Sequence, residues 1–167
     1  MYRILLAILF YASSASAQDL QYVESPDAIV QALYEVISTP GGQTPNWERW
    51  DTLFIPEARL IAIGSNEAGE DSYRTWTPEE YKEEVGVYLE ENPFFEVEVS
   101  HTSEQFGNMV HRFSTYESYR SMDKPPFARG INSIQLLQME GRWWIVTIFW
   151  QPETSRFPLP EEYLPEK

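Results

Sequence analysis

Four segments near the C-terminal end constrain this chain more than any other feature. They are "FFEVEVSHTSEQF" (94–106), "MVHRFSTYESYRS" (109–121), "ARGINSIQLLQM" (128–139) and "RWWIVTIFWQ" (142–151). The connections "FGN", "MDKPP" and "MEGR" are turn chemistry and too short to cross over a sheet, so neighbours must run antiparallel. A single sheet with one wet face should alternate apolar and polar residues, but "WWIVTIFW" is apolar at both parities. Both faces of the sheet therefore need cover.

One cover comes from helices. "SPDAIVQALYEVIS" offers Ser25 as N-cap and Pro26 at the first helical position, with Ile29, Ala32, Leu33, Val36 and Ile37 on one face. "NWERWDTLFIPEA" predicts a short helix capped by Asn46 and ending before Pro56. "ARLIAIGS" (58–65) reads as a short strand, and "NEAGEDS" as a polar loop. "TPEEYKEEVGVYLEEN" carries a capping box, Thr77 with Glu80, and an apolar face of Tyr81, Val85, Tyr88 and Leu89. Helices in one block and strands in another predict an α+β fold with helices on one face of a curved sheet. The second face is expected to be covered most simply by another subunit in a symmetric homodimer, the other cover being the proline-rich tail 153–167.

The start, "MYRILLAILFYASSASAQD", has Arg3, an apolar run and an Ala15-Ser16-Ala17 cleavage signal. The run is shorter than the ~20 residues of a spanning helix. Residues 1–17 are expected to be a signal peptide removed after Ala17, giving an exported, periplasmic or secreted protein with no membrane insertion after cleavage. A domain over 18–152 and the tail over 153–167 follow. The formal net charge of −14 argues against nucleic acid, which needs clustered Lys and Arg. No cysteine is present, so neither disulfide nor lipid anchor supports an exported fold, and the aromatic-rich core must do so.

Pairing residues across the turns places Glu98 beside Tyr116, Ser114 beside Asn132 and Leu136 beside Ile145. One face then carries Glu96, Glu98, Ser100, Arg112, Ser114, Tyr116, Asn132, Thr147 and Phe149. Glu98, Arg112, Ser114, Tyr116, Asn132, Thr147 and Phe149 are the predicted lining of a small-molecule pocket between sheet and helices. Glu98 as acid or base, and Tyr116 as donor to a developing oxyanion, are the catalytic candidates. The alternative is an inert Glu98–Arg112 ion pair with Tyr116 and Asn132 hydrogen-bonded. A register slip of one residue would exchange the set for Arg129, Gln135, His111 and Glu117. His101 and His111 lack a third ligand, so no metal is expected, and no cofactor fingerprint is present.

At "FGNMVHRFSTYESYRS", "FARGINSIQLL", "GRWWIVTIFWQ" and the earlier "WDTLFIPEARL", the chain resembles the nuclear transport factor 2-like (NTF2-like) superfamily. More closely, it is similar to uncharacterised bacterial SnoaL-like and DUF4440-type proteins. The resemblance covers roughly Ala28 to Pro152. It implies a cone-shaped α+β fold with a pocket between sheet and helices, often dimerised through the outer sheet face. It also implies a range of roles: isomerases, dehydratases, cyclases, and non-catalytic binding or assembly domains. The ketosteroid isomerases of that superfamily pair an Asp base with a Tyr and a protonated Asp. The four long strands here contain no Asp.

Overall fold

The computed structural model describes residues 21–66 and 69–165. The expected signal peptide lies outside the described residues. Three helices and six strands follow in order: α1 (Pro26–Ile37), α2 (Trp47–Asp51), β1 (Phe54–Ser65), β2 (Asp71–Trp76), α3 (Pro78–Glu91), β3 (Phe95–Phe106), β4 (Met109–Tyr119), β5 (Ala128–Met139) and β6 (Arg142–Pro152). The strands form one sheet in the order β2-β1-β6-β5-β4-β3. The architecture is α+β, with a curved sheet cupping the helices, as the segment pattern predicts.

Local chemistry explains the helices. Ser25 Oγ accepts the Ala28 N–H at 3.1 Å and Pro26 occupies the first turn, so α1 starts where expected. Its predicted apolar face is buried, together with Val30 and Tyr34. Asn46 Oδ1 accepts the Arg49 N–H at 3.0 Å to open α2. The capping box of α3 closes from both sides: Thr77 N–H donates to Glu80 at 2.7 Å, and Glu80 N–H donates to Thr77 at 3.2 Å. In the last hairpin Glu140 and Gly141 both have positive φ, 55° and 77°, which is the backbone of a two-residue turn matched to strand twist.

Two differences from the sequence reading concern the sheet's far edge. β1 starts at Phe54, before Pro56, and runs parallel to β6, so the sheet is mixed rather than wholly antiparallel. The segment from Asp71 to Trp76 is an edge strand pairing with β1. Its mostly exposed side chains lack the apolar alternation that marks a half-buried strand.

The inner register agrees with the expected pairs Glu98–Tyr116, Ser114–Asn132 and Leu136–Ile145. Two bulges then change which side chains face inward. Val99 is extra in β3, because Glu98 pairs with Tyr116 but Ser100 pairs with Thr115. Val146 is extra in β6, because Ile145 pairs with Leu136 but Thr147 pairs with Gln135. Beyond each bulge the parity reverses, so His101 enters the inner face in place of Ser100, and Ile148 and Trp150 enter in place of Thr147 and Phe149.

The outer face is covered in part by the chain itself. Thr115 Oγ1 donates to the Tyr163 carbonyl at 2.7 Å, and the Phe113 and Tyr163 rings meet edge to face at 5.1 Å. Arg129 pairs with Glu153 at the tail's root. The proline-rich tail thus lies on the outer sheet face and encloses a cleft of about 230 Å³ against Phe113, Ile131 and Phe149.

Candidate functional site

A cavity of about 290 Å³ lies between the inner sheet face and the helices. Its walls are built from every layer: Leu33, Tyr34 and Ile37 of α1, Trp50 of α2, Tyr81 of α3, Leu60 of β1, and Ile148 and Trp150 of β6. Aromatic packing fixes those walls. Trp50 stacks on Tyr81 at 5.2 Å, Trp76 stacks on Trp150 at 5.9 Å, and Tyr81 meets Trp150 edge to face at 6.4 Å.

Polar groups converge on one side, where β3, β4 and β5 contribute Glu96, Tyr116, Ser118 and Asn132. Ser118 Oγ donates to Glu96 Oε2 at 2.8 Å, and Asn132 Nδ2 reaches Glu96 Oε1 at 3.5 Å. These donors are neutral and cannot offset the burial of the Glu96 carboxyl. Loss of solvent pushes its pKa up from 4.5 to about 7, although Ser118 and Asn132 pull it down. Tyr34, Tyr81 and Tyr116 are likewise raised, first by burial and then by the neighbouring Glu96 charge, so they stay protonated at neutral pH. Tyr116 fits because residue 130 is glycine: a Cβ there would lie 2.7 Å from the Tyr116 hydroxyl and 2.4 Å from the Gln151 carbonyl.

A second, more open groove of about 650 Å³ adjoins the cavity, and Tyr34 and Glu96 belong to both walls. Here Arg112, only 4 % exposed, anchors an ion cluster. Its Nε donates to Glu98 Oε2 at 2.9 Å, its Nη2 pairs with the other Glu98 oxygen, and its Nη1 pairs with Asp27 at the start of α1. The Arg112 hydrogen bond holds the Asp27 carboxyl below the usual carboxylate range, against a smaller opposing effect of burial. His101 Nδ1 lies 3.0 Å from both Arg112 Nη2 and Glu98 Oε1. It accepts from the guanidinium when unprotonated and donates to the carboxylate when protonated. A chain of hydrogen bonds joins the two compartments: Asn132 Nδ2 donates to Tyr34 OH at 3.0 Å, Tyr34 OH meets Ser114 Oγ at 2.7 Å, and Ser114 donates to Glu98.

Of the predicted lining, Arg112, Ser114, Tyr116 and Asn132 are buried on the inner face, with Glu98 half-buried beside them. They do not share one pocket. Tyr116 and Asn132 line the cavity, whereas Glu98 and Arg112 line the groove as an ion pair. Thr147 and Phe149 are misplaced by the sequence reading: the Val146 bulge turns both outward, and Phe149 lines the cleft beneath the tail. The alternative set from a one-residue slip, Arg129, Gln135, His111 and Glu117, stays on the outer face, where His111 meets Ser133 at 2.9 Å. The sequence reading placed Glu96 on the inner face but passed over it as a site residue. Its signal was its position on "EVE", one strand repeat from Glu98 and beyond reach of Arg112. Tyr34 was missed because it falls beside, not on, the predicted apolar stripe of α1.

Among the described residues, no group of three or more His, Cys, Asp or Glu side chains is arranged to hold a metal ion. No described helix is long and apolar enough to cross a membrane.

No family model matches the sequence, and no curated protein matches it. Solved structures do. The β subunit of a candidate aromatic-ring-hydroxylating dioxygenase from Novosphingobium aromaticivorans superposes with a TM-score of 0.59 at 13% identity, over 80% of this chain and 94% of that one. A protein of unknown function with a cystatin-like fold from Nostoc punctiforme gives 0.58 at 10% identity, over 76% and 87%. A candidate dehydratase from the NTF2-like family of Streptomyces avermitilis gives 0.57 at 10% identity, over 80% and 96%. With its helices cupped by a curved six-stranded sheet and its cavity between the two, this chain has the NTF2-like fold.

Proposed function

We propose that the protein binds a small, partly apolar molecule in the cavity between sheet and helices, and that it does so after export directed by residues 1–17. The observation that carries this reading is the cavity itself: about 290 Å³, walled by aromatic and aliphatic side chains, with Glu96, Tyr116 and Asn132 converging on one side. A few polar groups on an apolar wall are the usual composition of a ligand pocket, and the volume lies at the small end of that range. A crystal structure of the protein purified without heat or solvent steps tests it. Density touching Tyr116 and Asn132 is expected, and an interior refilled by side chains overturns the reading. N-terminal sequencing of the exported protein is expected to start at Gln18.

A second reading, an acid–base enzyme of the isomerase, dehydratase or cyclase kind, draws on one observation. Glu96 sits in an apolar cavity with its pKa raised to about 7, which suits proton transfer at neutral pH. Glu96 replaces Glu98 as the candidate base, because Arg112 occupies both oxygens of Glu98. Exchange of α-protons of a small cyclic ketone, followed by NMR, should then be lost in Glu96→Gln and kept in a folded Glu98→Gln variant. Equal exchange in all three proteins would sink the enzymatic reading.

A further inference from the structure

The charge and shape of the cavity say what kind of molecule it accepts. Among the described residues, Glu96 is the lining side chain with an acidic group, and no Lys, Arg or His lines the cavity. The nearest buried cation, Arg112, belongs to the groove and is held by Glu98 and Asp27. Arg120 is exposed: it lies over the Phe127 ring at 4.2 Å and donates to the Pro93 carbonyl at 3.2 Å. An anionic ligand would therefore meet an uncompensated carboxylate inside, whereas the acids of the adjoining groove are already paired, Asp27 and Glu98 with Arg112 and Glu35 with Arg49. Besides aliphatic side chains such as Leu33, Leu60 and Ile148, the walls include Trp50, Trp150, Tyr81, Phe94 and Phe127, and aromatic rings carry a negative quadrupole that attracts cations.

We propose that the cavity takes a small organic cation, an alkyl- or arylammonium whose charge lies against the Glu96 carboxylate and whose carbon groups lie on the aromatic walls. The inference rests on the ligand-binding reading above and names its ligand class. A cation supplies the partner that Glu96 lacks. Ser118 and Asn132 already orient both carboxylate oxygens, and Tyr81 and Tyr116 line the same space with hydroxyls that make no hydrogen bond to the described residues. The formal net charge of −14 draws cations toward the protein and repels anions.

Binding follows the ionisation of Glu96. The groups facing that carboxyl are Tyr34 from α1, Tyr81 from α3, Tyr116 and Ser118 from β4, Asn132 from β5, and Glu98 two residues along β3. The tyrosines stay protonated, so Glu96 is the lining group whose charge changes near neutrality, with a pKa of about 7.

The test compares benzyltrimethylammonium, whose charge is permanent, with benzyl alcohol. Titrations of the full protein are followed by tryptophan fluorescence, since Trp50 and Trp150 line the cavity, and by calorimetry. At about pH 8 the cation should bind at least about tenfold more tightly than the alcohol, and its affinity should fall roughly tenfold by about pH 6 as Glu96 is neutralised. Glu96→Gln should remove both the advantage of the cation over the alcohol and its pH dependence. If the alcohol binds as well as the cation, the inference is overturned and the ligand-binding reading stands. If the cation's advantage is unchanged by pH, or survives in Glu96→Gln, surface charge rather than the cavity carries it, and the inference is overturned. If neither probe binds, both readings fall. Should Glu96→Gln not fold, the pH series on the unaltered protein decides alone.

Discussion

Glu96 and Glu98 stand two residues apart on one face of β3 and are satisfied in opposite ways. Glu98 is gripped through both oxygens by the Arg112 guanidinium, whereas Glu96 receives only the neutral donors of Ser118 and Asn132. One acid is a structural anchor, and the other is left answerable to whatever enters the cavity.

The anchor should be costly to break. Arg112→Met strands the half-buried Glu98 carboxylate and should lower stability by about 3–5 kcal/mol, the usual cost of orphaning a buried charge. Arg112→Lys should not restore it, because an ammonium cannot reach Glu98 through two parallel bonds and Asp27 at once. Replacing Glu98 and Arg112 together with Leu and Met should recover most of the loss. Urea midpoints of the four proteins check this; a single variant as stable as the parent would show that the cluster contributes little.

Glu96 should make the protein less stable as pH rises. Its folded pKa of about 7 exceeds the ordinary 4.5, so the folded state retains a proton that the unfolded chain releases. The favourable contribution is complete below about pH 4.5 and is lost as pH rises through about 7, a decline of roughly 3 kcal/mol. Asp27 acts in the other direction at the acid end, since its lowered pKa adds stability that is lost as pH falls through that lowered value. Glu96→Gln should abolish the decline between about pH 5 and 8 and leave the acid limb intact. Thermal midpoints against pH for both proteins measure it.

Gly130 should be intolerant of a methyl group. A Cβ would lie 2.4 Å from the Gln151 carbonyl and 2.8 Å from the Pro152 Cα, both backbone atoms of the paired strand, besides the Tyr116 hydroxyl. Gly130→Ala should cost about 1–3 kcal/mol by overpacking and displace Tyr116 from the cavity wall. A reduced thermal midpoint together with weakened ligand binding is the expected result.

Removing the tail after Pro152 should expose Phe113, Ile131 and Phe149 on the outer face. We expect the truncated protein to self-associate, read as a mass increase by light scattering over micromolar concentrations. A truncated protein that stays at the parent's mass would remove the outer face from consideration as a homodimer surface.

Most of the fold was legible because its signals are local. Ser25, Asn46 and Thr77 cap the helices they were expected to cap, and the turns fix the antiparallel order of β3 to β6 and pairs such as Leu136 with Ile145. Half of the site was legible because Ser114 with Asn132 lies in a ladder without a bulge and Glu98 with Tyr116 lies on the far side of Val99 from its turn, where the expected register holds. The rest depended on Val99 and Val146. A bulge leaves no mark in a strand apolar on both faces: "WWIVTIFW" allows either Phe149 or Trp150 to point inward, and only contact with Trp76 and Tyr81 selects Trp150. The parallel seam between β1 and β6 was hidden because it joins segments separated by the length of the domain.

Those two extra residues separate the inside of this protein from simple alternation along its strands. Shortening β6 by Val146 alone, with every other letter unchanged, would restore an unbroken ladder and leave Ile148 and Trp150 on the cavity side, still opposite Ile134 and Asn132. A chain on the same scaffold that lacks the extra residue at either bulge would line its interior with the same side chains. Among such chains, a single insertion or deletion at a bulge would be silent inside, and counting alternation along the letters would misplace half a strand.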